Sequence, residues 1–143
     1  MREWTMSLPW PRPPLSLNDR LHWQARRRLT VQVRQAAAVL ARHHRIPAMS
    51  RCEVRLLYAP RDGRVRDEDN LAATLKPLCD GLVDACVVPD DAPQFMLKPS
   101  PRVIAPQRPS ALWLVVRELV PLSVGEARPV RQPSSSTPRT NNP

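Results

Sequence analysis

The stretch RVRDEDN, Arg64 to Asn70, sets Asp67, Glu68 and Asp69 side by side. About twenty residues on, the turn PDD (Pro89 to Asp91) adds two more carboxylates. Such groups are hard oxygen donors, suited to Mg²⁺ or Mn²⁺. A cation held there can bind a phosphate, activate water and stabilise a leaving oxygen. If Asp67 to Asp69 leave a strand extended, residues two apart face the same way. Asp67 and Asp69 would then converge, Glu68 would face away, and the PDD turn would complete the set. An EF-hand is excluded, because Leu71 and Ala72 stand where that loop needs a further ligand and a glycine. The competing reading is a solvated acidic loop in which Asp69 or Asn70 caps the next helix.

The charge background sharpens the contrast. The 143 residues carry 22 basic against 13 acidic side chains, a net charge of +9. Seven of the eight aspartates, and Glu68, lie between Asp62 and Asp91. All the basic residues are arginine except Lys76 and Lys98, so a lysine at a site is not casual filler. An excess of this sign suits phosphate backbones. Basic residues would position nucleic acid while the acids carry metal. No apolar run is long enough for a membrane span, and the N-terminus lacks a signal-peptide core. Cys52, Cys79 and Cys86 form no CxxC pair and no zinc spacing with His22, His43 and His44. They read as reduced, mostly buried thiols of a cytoplasmic protein.

The elements that must position these groups follow from periodicity. EWTMSL (3–8) alternates like a strand and stops at a proline-rich stretch. From Gln24 to Arg45, Leu29, Val33, Ala36, Ala37 and Leu40 recur at helical spacing. The opposite face holds Arg27, Arg28, Arg34 and Arg42, either as a solvated surface or as contacts to DNA phosphates. Ile46-Pro47 ends this helix. Cys52, Val54, Leu56 and Tyr58 alternate as a second strand, and APRDGRVR is a basic loop leading into the acids.

A second helix is predicted over Asn70 to Ala85, with Leu71, Leu75, Leu78 and Leu82 on its apolar stripe. Asp69, Ala73, Lys76, Asp80 and Asp84 fall opposite, and Pro77 should kink or break the helix. Lys76 lies about two turns from Asp69, roughly 10 Å by rise, and its side chain leans back toward the helix start. It can reach the acids or pair with Asp80. Phe95–Leu97 and Ala111–Leu119 read as third and fourth strands, the last apolar enough to be central. The predicted fold is α/β (α+β): one small mixed four-stranded sheet packed by two main helices, in the order β-α-β-α-β-β. A domain over 1–120 is followed by a disordered Pro/Ser/Arg-rich tail over 121–143.

LPWPRPP, DEDN, LKPLCDGL and VVPDDAPQF, taken together, resemble the RusA family of Holliday junction resolvases, common in phages and prophages. The likeness runs from about residue 6 to residue 118. It implies a homodimeric endonuclease, dependent on Mg²⁺ with Mn²⁺ as a substitute, that resolves four-way DNA junctions in a bacterial or phage-infected cytoplasm. By the same resemblance the metal-binding aspartates are Asp67, Asp69 and Asp91, Asp90 being the alternative to Asp91. The essential lysine falls on Lys76, four residues before Asp80. The family's N-terminal Asn/Arg loop matches Asn18 and Arg20. The segment from Asn70 to Lys76 is longer here by about one helical turn, which keeps Lys76 on the same face but moves it outward. Arg27, Arg28, Arg61, Arg64 and Arg66 are the further candidates for DNA contact. A junction has two-fold symmetry, and a C2 dimer presents two equivalent sites for opposed cuts. The rival expectations are a non-catalytic DNA-structure-binding protein and a broader flap or branch nuclease.

Overall fold

Two helices meet so closely that one position on the second has room only for hydrogen. A Cβ at Gly81 would lie 2.2 Å from the Arg34 carbonyl oxygen and 2.7 Å from the Ala37 Cβ. The chain is described by a computed structural model over residues 1–18 and 20–122. Asp19 and most of the expected tail, 123–143, lie outside the described residues.

The elements are β1 (Glu3–Ser7), α1 (Trp23–His43), β2 (Cys52–Ala59), α2 (Ala72–Asp84), β3 (Met96–Leu97), β4 (Arg102–Val103) and β5 (Ala111–Glu118). A short 3-10 turn, Glu68–Leu71, leads into α2. The described residues form one mixed sheet in the order β1-β5-β2-β3, with β4 also beside β2. β5 is central as expected, antiparallel to both β1 and β2. The expected four strands become five, because Arg102–Val103 pairs in parallel with Leu57 and Tyr58. Two residues carry no period, so β4 leaves no trace in the sequence. β2, α2 and β3 make a parallel crossover unit, with Met96 opposite Cys52 at the start of β2.

The inward row of the sheet is the one the alternation selected. Cys52, Val54, Leu56 and Tyr58 are buried, together with Met6, Leu112, Leu114 and Val116. Against them lie Leu71, Leu75, Leu78 and Leu82 of the predicted stripe, and Val33, Ala37 and Ala41 of α1. Small residues on α1 let α2 approach, and an Arg34–Asp84 ion pair at 2.6 Å ties the helices at the rim. Cys52 and Cys79 are buried, and burial pushes their thiols up to about 11 and about 12, which makes them inert packing groups. Cys86 is exposed.

Pro77 neither ends α2 nor splits it. The helix runs unbroken from Ala72 to Asp84 with Pro77 buried inside it. Both helices end in the same way without glycine. The N–H of Ile46 bonds to the Ala41 carbonyl and that of Arg45 to Arg42. Likewise Val87 bonds to Leu82 and Cys86 to Val83. These are Schellman closures, and they force Arg45 (φ 53°) and Cys86 (φ 61°) into the left-handed region. Among the described residues no helix is long and apolar enough to cross a membrane.

Alanine at a helical glycine ordinarily stabilises by about 1 kcal/mol. Gly81→Ala is expected to do the opposite and cost about 1–2 kcal/mol, since backbone oxygen stands where the methyl must go. Arg45→Gly is expected to gain about 0.5–1 kcal/mol by relieving the left-handed residue. Urea midpoints of the two variants check both signs.

Candidate functional site

The first half of α2 projects Lys76, and two carboxylates meet it. Its Nζ donates to Asp80 Oδ1 at 2.8 Å and to Asp91 Oδ2 at 2.6 Å. Lys98, directly after β3, donates to the same Asp91 oxygen at 3.3 Å. The two lysines of the chain therefore meet on one carboxylate. The turn before β3 sets this up: Phe95 and Met96 both donate their N–H to the Ala92 carbonyl. Asp90 is exposed, and its Oδ1 accepts the Asp91 N–H at 2.8 Å. Asp91 is thus the member of the pair that faces the lysines. Hydrogen bonds donated to Asp80 and then to Asp91 hold the Lys76 ammonium above its ordinary value, and Lys76 first, with Lys98, holds Asp91 below its own.

The DEDN segment is arranged differently from the extended pair expected. Asp67 itself is extended (φ −81°, ψ 113°), but Glu68 already enters the 3-10 turn. Neither Asp69 nor Asn70 caps α2, whose N-cap is Leu71 without a side-chain bond; the turn before it is capped by Asp67, whose Oδ1 accepts the Asp69 N–H at 3.0 Å. Glu68 accepts the Val103 N–H at 2.6 Å and lies 3.6 Å from Arg102, which pins the turn to β4. The Asp69 carboxylate is exposed and has no side-chain partner among the described residues.

These positions put the aspartates at different places along β2. Asp67 lines a cleft with Tyr58 and Val103, at the end of β2 where β4 pairs. Asp91 leads into β3, which pairs with the start of β2. Among the described residues no three His, Cys, Asp or Glu side chains come together where one ion would be shared. The donors have the chemistry a hard cation takes. Their spacing does not form a ready three-carboxylate site.

The basic candidates divide in the same manner. Arg27 and Arg28 are exposed on α1 and border a shallow hollow of about 640 Å³ with Trp23 and Val31. Neither has an ion-pair partner among the described residues. Arg34 is spent on Asp84, and Arg42 donates to the Asp84 carbonyl. Asn18 and Arg20 are exposed in the loop before α1. Arg61 and Arg64 project from the loop after β2, their side chains 76% and 82% exposed. Arg66 folds back, donating to Asp62 Oδ1 at 2.8 Å and to the carbonyls of Asp62 and Arg64. It shapes the basic loop instead of extending from it. Sequence reasoning missed Lys98, whose one signal was the rarity of lysine.

Asp62, Asp84 and Asp91 all titrate below the ordinary 3.8, held by Arg66, Arg34 and Lys76 respectively. A depressed folded-state value means the unfolded chain binds protons first as pH drops. The stabilisation is present above the unfolded value and is lost as pH falls through the folded ones. Urea midpoints are expected to hold between about pH 7 and pH 5 and to fall toward about pH 3. Asp91→Asn is expected to flatten part of that acid limb.

No family model matches the chain. It is similar to an uncharacterized protein of Xylella fastidiosa (strain Temecula1), 34% identical over 91 residues that make up 60% of this chain and 60% of that protein. The match thus spans about 60% of that relative's length.

Proposed function

We propose that the chain is an endonuclease of the RusA type that hydrolyses phosphodiesters in four-way junction DNA. The observation that carries this reading is the contact of Lys76 with Asp80 and Asp91, at 2.8 and 2.6 Å. Those three residues are the ones the resemblance singles out around α2 and the PDD turn, and they are brought together from 15 positions apart in the chain.

The chemistry available there follows from donor counting. An ammonium group has three N–H donors and no acceptor. Lys76 spends two on carboxylates and keeps one, and Lys98 spends one and keeps two. A phosphate oxygen arriving at this point meets unspent donors fixed in direction by Asp80 and Asp91. Donors placed in advance favour the charge that builds on phosphate oxygens as water attacks. Arg20, Arg27 and Arg28 have no ion-pair partner among the described residues, and Arg61 and Arg64 stay largely exposed with only long pairs to Asp62 at 4.0 and 3.7 Å; these would take flanking phosphates, sequence-independently and with strong salt dependence. Magnesium, with manganese as substitute, is the cofactor implied by the resemblance. By that resemblance Asp67, Asp69 and Asp91 would be its carboxylates and it would supply Lewis acidity and an activated water, although the structure does not gather the three at one point. A homodimer matches the two-fold symmetry of the substrate.

The spacing of the carboxylates favours a second reading, a non-catalytic protein that recognises DNA structure by charge. One assay separates the two. Purified protein is mixed with a synthetic four-way junction, with and without Mg²⁺, and resolved on denaturing and native gels. Paired nicks in Mg²⁺ are expected. Asp69→Asn and Asp91→Asn are each expected to lower the cutting rate at least about 100-fold while a native gel still shows the bound junction. An intact, shifted junction under all conditions establishes the binder instead. Cutting by Asp69→Asn at the wild-type rate removes the carboxylate assignment.

A further inference from the structure

We infer that the cleft beside Asp67 receives a single unstacked nucleobase of the bound DNA strand. The cleft lies between the proline-rich loop after β1 and the basic loop after β2, and measures about 380 Å³. That falls within the roughly 300–1,000 Å³ of small-ligand sites. Leu15 and Leu71, both buried, and Val103 give it an apolar lining suited to the faces of a flat ring. Six polar side chains also line it: Ser16, Arg66 and Asp67, which are engaged within the protein, and three others, Tyr58, Asn70 and Arg12.

None of the three has a side-chain partner among the described residues. Tyr58 is 9% exposed, so its ring is largely buried in the wall while its hydroxyl keeps access to the cleft and can meet a ligand there. Asn70 offers an amide, which pairs bidentately with the donor and acceptor edge of a base. Arg12 offers a guanidinium fork, matched to a phosphate or to a base edge. Val65, entirely exposed between Arg64 and Arg66, stands at the lip as an apolar surface on which a ring can pack.

Asp67 shares the cleft, so a base held there belongs to a nucleotide next to the DEDN turn. An apolar slot with an amide, a phenol and a guanidinium, next to a basic loop, is what reading one base out of the stack requires. A junction branch point is where stacking is already interrupted, so extrusion costs least there. This inference rests on the proposal that the substrate is branched DNA. It deepens that proposal by naming what recognises the strand.

The experiment uses the full chain and a four-way junction with 2-aminopurine placed at one position at a time around the branch, without Mg²⁺. Emission of this base rises when it leaves the stack. At saturating wild-type protein, a several-fold rise is expected at one or two positions. Tyr58→Phe, which keeps the buried ring, and Asn70→Ala are expected to return emission toward the free-junction level at equal saturation. Circular dichroism confirms that both variants are folded. No rise at any position overturns the cleft, as does a rise undiminished in both variants. Cleavage of the same junctions in Mg²⁺ is scored separately. Cutting without an emission change leaves the nuclease standing and removes the cleft. An emission change without cutting does the reverse.

Discussion

Backbone lying against backbone at Gly81 governs where everything else can stand. With the Arg34 carbonyl 2.2 Å from the place a methyl would take, α2 can sit against α1 in one rotation only. That rotation sends Leu75, Leu78 and Leu82 into the core beneath the sheet. It leaves Lys76 and Asp80, one helical turn apart, on the flank toward the turn before β3. A helix turned by one residue, about 100°, would lose both the apolar fit and the contact with Asp91. Packing and site are thus set by one close approach, and the site has little freedom to drift.

The dense run of acids in the sequence resolves into separate jobs in space. Asp62 clasps Arg66 and shapes the basic loop. Asp67 caps the turn, and Glu68 ties it to β4. Asp84 links the two helices through Arg34. Asp80 and Asp91 orient lysines. A strongly basic chain needs such internal counter-charges wherever arginines must be held in one geometry. Most of these pairs are half-exposed, so each contributes direction more than stability. Nearness along the chain was a poor guide to nearness in the fold, because a strand, a turn and a helix separate the members.

What was legible follows the reach of local physics. The alternation of Cys52 to Tyr58, the leucine stripe of α2 and the apolar run of β5 express periods long enough to read, and each was found at the predicted place. The continuous α2 through Pro77 was not legible, since burial of the ring in the core outweighs one missing hydrogen bond. Arg45 and Cys86 take left-handed positions that glycine usually fills, and no glycine marks either helix end in the sequence; buried Ile46 and Val87 hold those ends in place instead. The i,i+4 pairing of Lys76 with Asp80 was readable from the wheel. Its second bond, to Asp91, and the arrival of Lys98 depend on the register of a two-residue strand. The cleft was invisible for the same reason: Arg12, Tyr58 and Asn70 come from three segments joined only by tertiary packing.

The cleft and the lysine site are coupled through one short piece of chain. Asn70 lines the first and Lys76 carries the second, and the six-residue step from one to the other spans roughly 10 Å along the turn and helix. Along a nucleic-acid strand the axial repeat is about 3.4 Å per phosphate, so that distance corresponds to about three nucleotides. A strand anchored by one base in the cleft would therefore bring a phosphate a few positions away to the unspent lysine donors. Because the 3-10 turn that holds Asn70 runs directly into the helix that holds Lys76, and that helix is seated at Gly81, the offset between the proposed base cleft and the lysines would be fixed by the fold and not by loop motion.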